Sequence, residues 1–224
     1  MEQFPKRPFK THGGAPVPHH KNTWQAQSAV MPPPARVVLP MQQHIGAPCV
    51  PTVKKGDHVY VGQVVGDSEA FVSAPIHASV SGTVAEVTQV MLTGDRPVDA
   101  VVIDSDGLME PDPAIQPPAP ITDKKSLAAA ARASGLVGLG GAGFPAHVKL
   151  NVPEGKNIDT LIINVAECEP YVTSDHREAL ENGKNVLDGI YKVKEILDVH
   201  RVLIAVEDNK PDVIQKLTEI ADNP

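Results

Sequence analysis

Residues 138–145 read Gly-Leu-Gly-Gly-Ala-Gly-Phe-Pro, and the interpretation of the carboxyl-terminal half begins with them. Four glycines in six residues disfavour a helix or a strand, and they let backbone N–H groups approach an anion or a flat ring without interference from Cβ atoms. Pro145 suits the first position of a helix, whose amino end favours a phosphate, and Lys149 can add a positive charge. The loop is therefore a candidate ligand site; the alternative is a mobile loop that binds nothing.

The glycines also fit the pattern Gly-x-Gly-x-x-Gly, at Gly138, Gly140 and Gly143. In a dinucleotide-binding domain this pattern follows directly after a strand. Here the preceding residues, 124–133, are rich in alanine and predict a helix with Asp123 as its cap. An ordinary Rossmann first turn is therefore disfavoured. A P-loop is disfavoured too, because the pattern Gly-x4-Gly-Lys-Ser/Thr is absent from the sequence.

After the loop, the sequence predicts strands that alternate with helices. Residues 160–165 form an apolar run typical of a buried strand, and residues 201–206 form a second strand. Between them, Asp175 and Glu178 resemble a capping box and predict one long helix to about Asp198. Two strands joined through a helix lie parallel, with a right-handed crossover. The predicted core-facing residues of this helix and the next one are Leu180, Leu187, Ile190, Tyr191, Leu197, Val213, Ile214, Leu217 and Ile220.

Three polar side chains follow the first of these strands. Asn164, Glu167 and Glu169 lie at its carboxyl end, which is where ligands bind in open parallel sheets. Their oxygen atoms can accept hydrogen bonds from ribose hydroxyls or from an amide. The alternative is that the two glutamates only cap the following helix.

The region before the glycine loop has a different pattern. Between residues 37 and 106, short β-branched runs separated by Gly-Asp and Ala-Pro turns predict a small all-β barrel or sandwich. Its histidines are scattered without the spacing of metal ligands, so no metal site is predicted. The proline-rich residues 108–122 predict an extended, semi-rigid linker. The predicted strands are 37–39, 58–61, 64–65, 70–72, 82–90 and 100–103.

This all-β region resembles the biotinyl/lipoyl-like barrel-sandwich hybrid. Carrier domains of that family attach their cofactor to a lysine at the tip of the central hairpin, which here falls near residues 67–70. No lysine occurs between Lys55 and Lys124, and the attachment needs an ε-amine. A carrier role is therefore excluded, and the barrel is interpreted as a structural or docking module. The matching residues are Gly56-Asp57-His58-Val59, Gly62, Gly66-Asp67, Ala74-Pro75 and Gly82-Thr83-Val84.

The composition excludes several classes of protein. The 224 residues include 22 prolines without a Gly-X-Y period, which excludes collagen, and 42% are hydrophobic, which excludes a wholly disordered chain. The net charge of −7 argues against nucleic-acid binding. Only Cys49 and Cys168 are present, and no apolar run approaches the roughly 20 residues of a membrane span. These features predict a cytoplasmic protein with reduced cysteines.

The amino-terminal arm, residues 1–36, has the opposite charge to the rest of the chain. It has a single acid, Glu2. Such an arm is either a solvated tail or a segment that docks on an acidic partner or a membrane surface. Its basic residues are Lys6, Arg7, Lys10, Lys21 and Arg36.

The two motifs of the carboxyl-terminal half resemble the flavin-binding subunit of complex I. That family carries a Gly-Arg-Gly-Gly-Ala-Gly-Phe-Pro loop with a following lysine, and an Asn-Ala-Asp-Glu-Gly-Glu-Pro stretch. This chain has the loop at 138–145, Lys149, and Asn-Val-Ala-Glu-Cys-Glu-Pro at 164–170. Leu139 and Ala166 replace an arginine and an aspartate of the complex I pattern.

The resemblance is closer to the C subunits of the Rnf electron-transport complex. Their patterns Gly-Leu-Gly-Gly-Ala-Gly-Phe-Pro-x-His-Val-Lys-Leu and Ala-Glu-Cys-Glu-Pro-Tyr occur here at 138–150 and 166–171. Both departures from complex I agree with this family. In the arm, His12-Gly13-Gly14, Pro18 and Lys21 are similar to it as well.

The resemblance implies an electron-entry subunit of a membrane redox complex. Such a subunit accepts hydride from NADH onto bound FMN and exchanges electrons with a ferredoxin-like carrier through 4Fe-4S clusters, coupled to ion translocation. It lies on the cytoplasmic side of the membrane, held there by other subunits. The residues that the resemblance assigns to FMN and NADH are Gly138, Gly140, Gly141, Ala142, Gly143, Phe144, Lys149, Asn164, Glu167 and Glu169.

The predicted organisation is a multidomain α+β chain. An arm (1–36) precedes an all-β barrel-sandwich hybrid (37–107), a linker (108–122) and a partial, Rossmann-like α/β flavin- and NADH-binding domain (123–224). Two cysteines cannot ligate four-cysteine clusters, so we expect an amino-terminal fragment that is inactive alone, with the clusters in a missing carboxyl-terminal part. Two alternatives stay open. One is a non-catalytic scaffold with a degenerate nucleotide site, like the A subunit of the sodium-pumping NADH:quinone reductase, and the other is a cobalamin reductase.

Overall fold

The computed structural model describes residues 13, 17–94, 96–117 and 119–222. It divides into two compact units. Residues 31–155 form the first, which we call the barrel unit, and residues 156–222 with the described residues of the first 30 form the second, the α/β unit. The glycine loop thus packs with the barrel, and residues 17–30 of the arm pack with the α/β unit. This division differs from the sequence-based domain boundaries, which stay a prediction.

Seven strands form the barrel unit. They make two antiparallel sheets, in the orders β1-β7-β6-β3 and β2-β4-β5. The long strands β6 and β7 pair from Gly82 opposite Ser105 to Leu92 opposite Arg96. Valine and isoleucine side chains from both sheets meet in one core. The strands are β1 (Arg36–Pro40), β2 (Val50–Pro51), β3 (His58–Val59), β4 (Val64–Asp67), β5 (Ile76–His77), β6 (Gly82–Leu92) and β7 (Arg96–Ser105).

One predicted strand of the barrel is wrong, and two strands were missed. Residues 70–72 form a bend, which the Ser73 hydroxyl closes by donating to the carbonyl oxygens of Ser68 and Ala70, at 3.1 and 2.6 Å. The missed strands β2 and β5 have two residues each, which is too short for an alternating pattern to show in the sequence.

Two helices complete the barrel unit, α1 (Lys124–Ala133) and α2 (Ala146–Leu150). The predicted cap of α1 is confirmed, because the Asp123 carboxylate accepts from Ser126 N–H at 2.7 Å. Arg132 of α1 donates to the Asp67 carboxylate and to the Ser68 carbonyl oxygen, at 2.8 and 2.7 Å. The hairpin tip that carries a lysine in carrier domains is therefore bound to α1 here.

Among its described residues, the α/β unit has two parallel strands and three helices. The strands β8 (Thr160–Asn164) and β9 (Arg201–Ala205) pair in parallel along their whole length, as predicted. The helices are α3 (Ser174–Glu181), α4 (Gly183–Leu197) and α5 (Pro211–Asp222). Their apolar faces meet alternate residues of both strands in the core of this unit.

The single long helix predicted to start at Asp175 is two helices. The chain breaks at Asn182, whose φ is −121°, and α4 starts at the buried Gly183. A Cβ atom at Gly183 would lie 3.1 Å from Ile220 and 3.3 Å from Leu217 of α5, so α4 approaches α5 closely where it begins. Of the predicted core positions in α4, Leu187, Ile190 and Leu197 are buried, but Tyr191 is 43% exposed. Among the described residues, no helix combines the length and the apolar character that crossing a membrane requires.

Candidate functional site

The glycine loop is closed at its base. Val137 and Pro145 form an isolated bridge, and Gly138 N–H donates to the Phe144 carbonyl oxygen at 3.0 Å. The helices on both sides are fixed to the barrel, α1 through Arg132 and α2 through His147, whose Nε2 lies 2.9 Å from the Phe71 carbonyl oxygen. The loop therefore projects from two anchored ends.

The glycines of the loop have two different roles. Gly143 has a φ of +62°, and a Cβ atom there would lie 2.9 Å from Gln43 O and 3.0 Å from His44 Cα. Its lack of a side chain is required by the fold. At Gly140 and Gly141, by contrast, φ lies outside the left-handed region and a Cβ atom would meet nothing within 4 Å. These two glycines face open space, which is what a ligand-binding loop provides.

The loop forms one wall of a cleft of about 500 Å³, and residues 42–45 form the other. Within the described part of the chain, the N–H groups of residues 139–143 have no protein acceptor. The Lys149 ammonium lies 5.8 Å from the centre of the Phe144 ring and 3.5 Å from where a Cβ of Gly138 would be. The loop thus combines open backbone donors with one positive charge close to its base at Gly138, which suits a phosphate group.

The helix after the loop differs from the prediction. Pro145 is the residue before α2 and not its first helical residue, and α2 has only five residues. A helix this short has few aligned peptide dipoles, so we assign it no anion site of its own. The backbone donors of the loop and Lys149 are the groups that can bind a phosphate.

The second group of predicted residues lies at the end of β8 in the α/β unit. Asn164 is exposed, and its Oδ1 accepts from Ala166 N–H at 3.0 Å. Glu169 is also exposed. The structure therefore brings residues 138–144 and Lys149 together in one unit, and it places Asn164 and the two glutamates in the other.

Glu167 is almost fully buried, with 2% exposure. Its Oε1 accepts from the Ser174 hydroxyl at 3.1 Å and from Asp175 N–H at 2.9 Å, at the start of α3. The cap of this helix thus comes from Glu167 and not from the Asp175–Glu178 pair, whereas the alternative interpretation expected a capping role of both glutamates. Direct contact between Glu167 and NADH stays a prediction, but this geometry favours a positioning role.

A buried ion cluster surrounds Glu167. Its Oε2 lies 3.6 Å from Lys21 Nζ and 3.8 Å from Lys210 Nζ, and its backbone N–H donates to the Glu207 carboxylate at 3.1 Å. Lys210 is 1% exposed and donates to Glu207. Burial alone would raise the pKa of Glu207, but the hydrogen bonds from Lys210 and Glu167 N–H lower it overall. Burial and the charge of Glu167 raise the pKa of Asp175.

Sequence reasoning missed Lys210 and Glu207, and it placed Lys21 in an arm that is either solvated or docked on a partner. The structure shows instead that Lys21 binds within its own unit, and Arg36 forms an ion pair with Asp104. Lys6, Arg7 and Lys10 lie outside the described residues. Among the described residues, no three His, Cys, Asp or Glu side chains form a group that could hold a metal ion.

Two protein-family models match the chain. The model described as RnfC Barrel sandwich hybrid domain matches residues 9–108, and the Nuo51 FMN-binding domain matches residues 131–224. The C subunit of the Na(+)-translocating ferredoxin:NAD(+) oxidoreductase complex of Acetobacterium woodii is 44% identical over 215 residues, which cover 94% of this chain. The chain belongs to the family of Rnf C subunits. Both the barrel-sandwich hybrid and the flavin-type domain predicted from the sequence are thereby confirmed.

Two other C subunits are similar to this chain over most of its length. That of the proton-translocating ferredoxin:NAD(+) oxidoreductase complex of Clostridium ljungdahlii is 41% identical over 208 residues, which is 92% of this chain. That of the ion-translocating oxidoreductase complex of Rhodobacter capsulatus is 39% identical over 218 residues, which is 96% of it. The chain spans 48%, 45% and 42% of the lengths of these three relatives.

Proposed function

We propose that this chain supplies the FMN-binding, electron-entry part of a membrane redox complex. The complex oxidises NADH through FMN and exchanges electrons with a ferredoxin-like carrier through 4Fe-4S clusters, coupled to ion translocation. Two relatives support this proposal through their names, which describe ferredoxin:NAD(+) oxidoreductase complexes that translocate Na⁺ or protons. The clusters are proposed to lie outside this chain, since Cys49 is buried and Cys168 is exposed, and two cysteines cannot form a four-cysteine ligand set.

The observation that carries the proposal is the open glycine loop within a segment that matches an FMN-binding domain. Gly140 and Gly141 leave room for a ligand beside backbone N–H groups that have no acceptor among the described residues. Lys149 supplies the positive charge that a phosphate monoester requires. The residues present therefore fit FMN.

Bound FMN supplies the chemistry that protein side chains lack, the acceptance of hydride and its release as single electrons. This chain's own residues bind and orient. Gly140 and Gly141 admit the flavin to the backbone, Lys149 neutralises the phosphate, and Phe144 offers a ring face to a nicotinamide or adenine. Asn164 and Glu169, both exposed, are the proposed polar contacts at the end of β8.

The location and partners form part of the same proposal. We place the subunit on the cytoplasmic side of the membrane, bound through other subunits of the complex. A ferredoxin-like protein is the proposed electron partner.

Gly141→Val is expected to abolish FMN binding while leaving the barrel unit folded. The valine side chain fills space that is empty of protein, so it meets the ligand and not the fold. The measurement is a flavin fluorescence titration of the whole subunit that contains this chain, together with the rate of NADH oxidation by a dye acceptor. We expect the FMN dissociation constant to rise at least about 100-fold, because an overlap of this size removes the close approach of the backbone to the ligand.

Gly189→Val in α4 is the matched control. It makes the same change at another glycine whose Cβ would meet nothing within 4 Å, but outside the loop. FMN affinity should equal that of the wild type. Normal FMN affinity in Gly141→Val would show that the loop is not the flavin site, and a wild-type subunit that binds no FMN would favour the non-catalytic scaffold instead.

A further inference from the structure

The amino-terminal arm shapes the motif at residues 166–171. The backbone carbonyl oxygens of Glu167, Glu169 and Val172 converge on Lys21 Nζ, at distances of 2.7, 2.9 and 2.7 Å. An ammonium group has three N–H donors, so these carbonyls use all of them. Three carbonyl dipoles that point at one place repel each other unless a cation lies between them. The curled shape of this loop therefore depends on Lys21.

The same loop contains strained backbone. Tyr171 has a φ of +70°, a region that residues with side chains rarely adopt. Its ring stacks on that of His20, itself at a φ of +47°, with centroids 5.0 Å apart and planes at 9°. Tyr171 N–H donates to the His19 carbonyl oxygen at 2.9 Å. Strain of this kind persists only where surrounding contacts over-determine it, and here the arm supplies those contacts.

Further along, the arm is fixed to α3, the helix that follows the loop. Arg177 donates to the Trp24 carbonyl oxygen at 3.1 Å, and Ser28 N–H donates to the Glu181 carboxylate at 3.1 Å. Residues 19–28 of the arm therefore lie against the loop and α3 and are held there by these contacts. Lys21 lies in the middle of these contacts, with its side chain only 13% exposed.

The charges around Lys21 explain why a cation is stable there. The Glu167 carboxylate is 3.6 Å from its Nζ, and the charge of Lys21 also acts on Asp175 and Glu207. A largely buried ammonium among three carboxylates and three carbonyls is well compensated, although Lys210 adds a second cation nearby.

We propose that Lys21 is a positioning residue for the NADH site. Its ammonium group fixes the loop at residues 166–171 so that the exposed Glu169 is presented to the ligand, and Lys21 itself touches neither NADH nor FMN. The consequence for catalysis rests on the proposed function, whereas the consequence for the shape of the loop does not.

The test is Lys21→Met in the whole subunit, with two readouts. The first is hydrogen exchange of the peptide that spans residues 166–176, which should become at least about tenfold faster, because hydrogen bonds to a charged group are lost. The second is NADH oxidation with a dye acceptor. The KM for NADH should rise about tenfold while the FMN dissociation constant, set by the glycine loop, changes less than about twofold.

Two further variants distinguish a positioning effect of Lys21 from a non-specific effect of losing a lysine in this unit. Lys216→Met removes an exposed lysine from α5 of the same unit and should change neither readout. Lys21→Arg keeps the charge, but a planar guanidinium cannot meet three convergent carbonyls, so exchange should stay faster than in the wild type. Unchanged hydrogen exchange in Lys21→Met would show that Lys21 does not fix the loop at residues 166–171. Faster exchange with an unchanged KM for NADH would show that the loop is fixed by Lys21 but that this has no effect on the NADH site. A wild-type subunit that does not oxidise NADH would contradict the proposed function. The hydrogen-exchange result would still show whether Lys21 fixes the shape of the loop.

Discussion

Lys210→Met should destabilise the α/β unit by about 3 kcal/mol, the lower end of the range for removing one partner from a buried ion pair. Lys210 is 1% exposed, donates to Glu207 and lies 3.8 Å from the Glu167 carboxylate. Methionine keeps most of the packing of the lysine stem, so the loss reports the charge. We choose the lower end because the Glu207 side chain is 23% exposed and because Lys21 remains 3.6 Å from Glu167.

The effect of Lys210→Met should depend on pH. The pKa of Glu207 is lowered in the folded state, so its contribution is present above the pKa of the unfolded chain and is lost as the pH falls through the folded value. Without Lys210, the strongest of the interactions that lower this pKa is lost, and only the hydrogen bond from Glu167 N–H and the charge of Lys21 remain. The difference in unfolding free energy between the wild type and Lys210→Met should therefore be largest near pH 7 and should shrink below about pH 4.

Urea unfolding of this chain can follow the α/β unit through Trp24, its single tryptophan, which lies 6.2 Å from the His176 ring. Lys216→Met, on the helix α5 that begins directly after Lys210, is the control, because it removes an exposed charge and should change the unfolding free energy by less than about 0.5 kcal/mol. Equal stability of Lys210→Met and Lys216→Met at pH 7 would contradict the importance of the buried cluster.

Local signals in the sequence were sufficient for much of the fold. Asp123 caps α1 where its position before an alanine-rich run predicted it, and β8 and β9 lie parallel as their separation by helical sequence required. Motif spacing also led to the glycine loop and to the family. In each of these places, propensity, capping and the hydrophobic pattern agree with the tertiary structure.

The features that sequence reasoning missed depend on contacts between distant residues. Lys21 and Glu167 are separated by 146 positions in the chain, and no local pattern marks either as a member of an ion cluster. The break at Asn182 is different, because the Asn182-Gly183 dipeptide is a local signal for a turn that the long helical pattern around it outweighed in the prediction. Burial of a polar group cannot be read from its own neighbours in sequence.

Gly82→Ala should destabilise the barrel unit by about 3 kcal/mol, through steric overlap and backbone strain together. Gly82 has a φ of +150°, and a Cβ atom there would overlap the carbonyl oxygen of Asp104 and lie 2.9 Å from Ser105 Cα. Both obstacles are backbone atoms of β7. Gly82 is paired with Val59 of β3 on one side and with Ser105 of β7 on the other, so the strand cannot move aside without losing one of its ladders.

Gly56→Ala is the control that measures the effect of backbone strain without steric overlap. Gly56 also has a positive φ, +91°, but a Cβ atom there would meet nothing within 4 Å. We expect this variant to lose about 1 kcal/mol, from backbone strain alone. Hydrogen exchange of the core strand β7, measured around Val101 and Ile103, follows the barrel unit separately from the α/β unit. The exchange rates there should rise far more in Gly82→Ala than in Gly56→Ala. Equal increases in the two variants would mean that β6 can withdraw from β7 to admit a side chain, and that positive φ alone requires glycine at position 82.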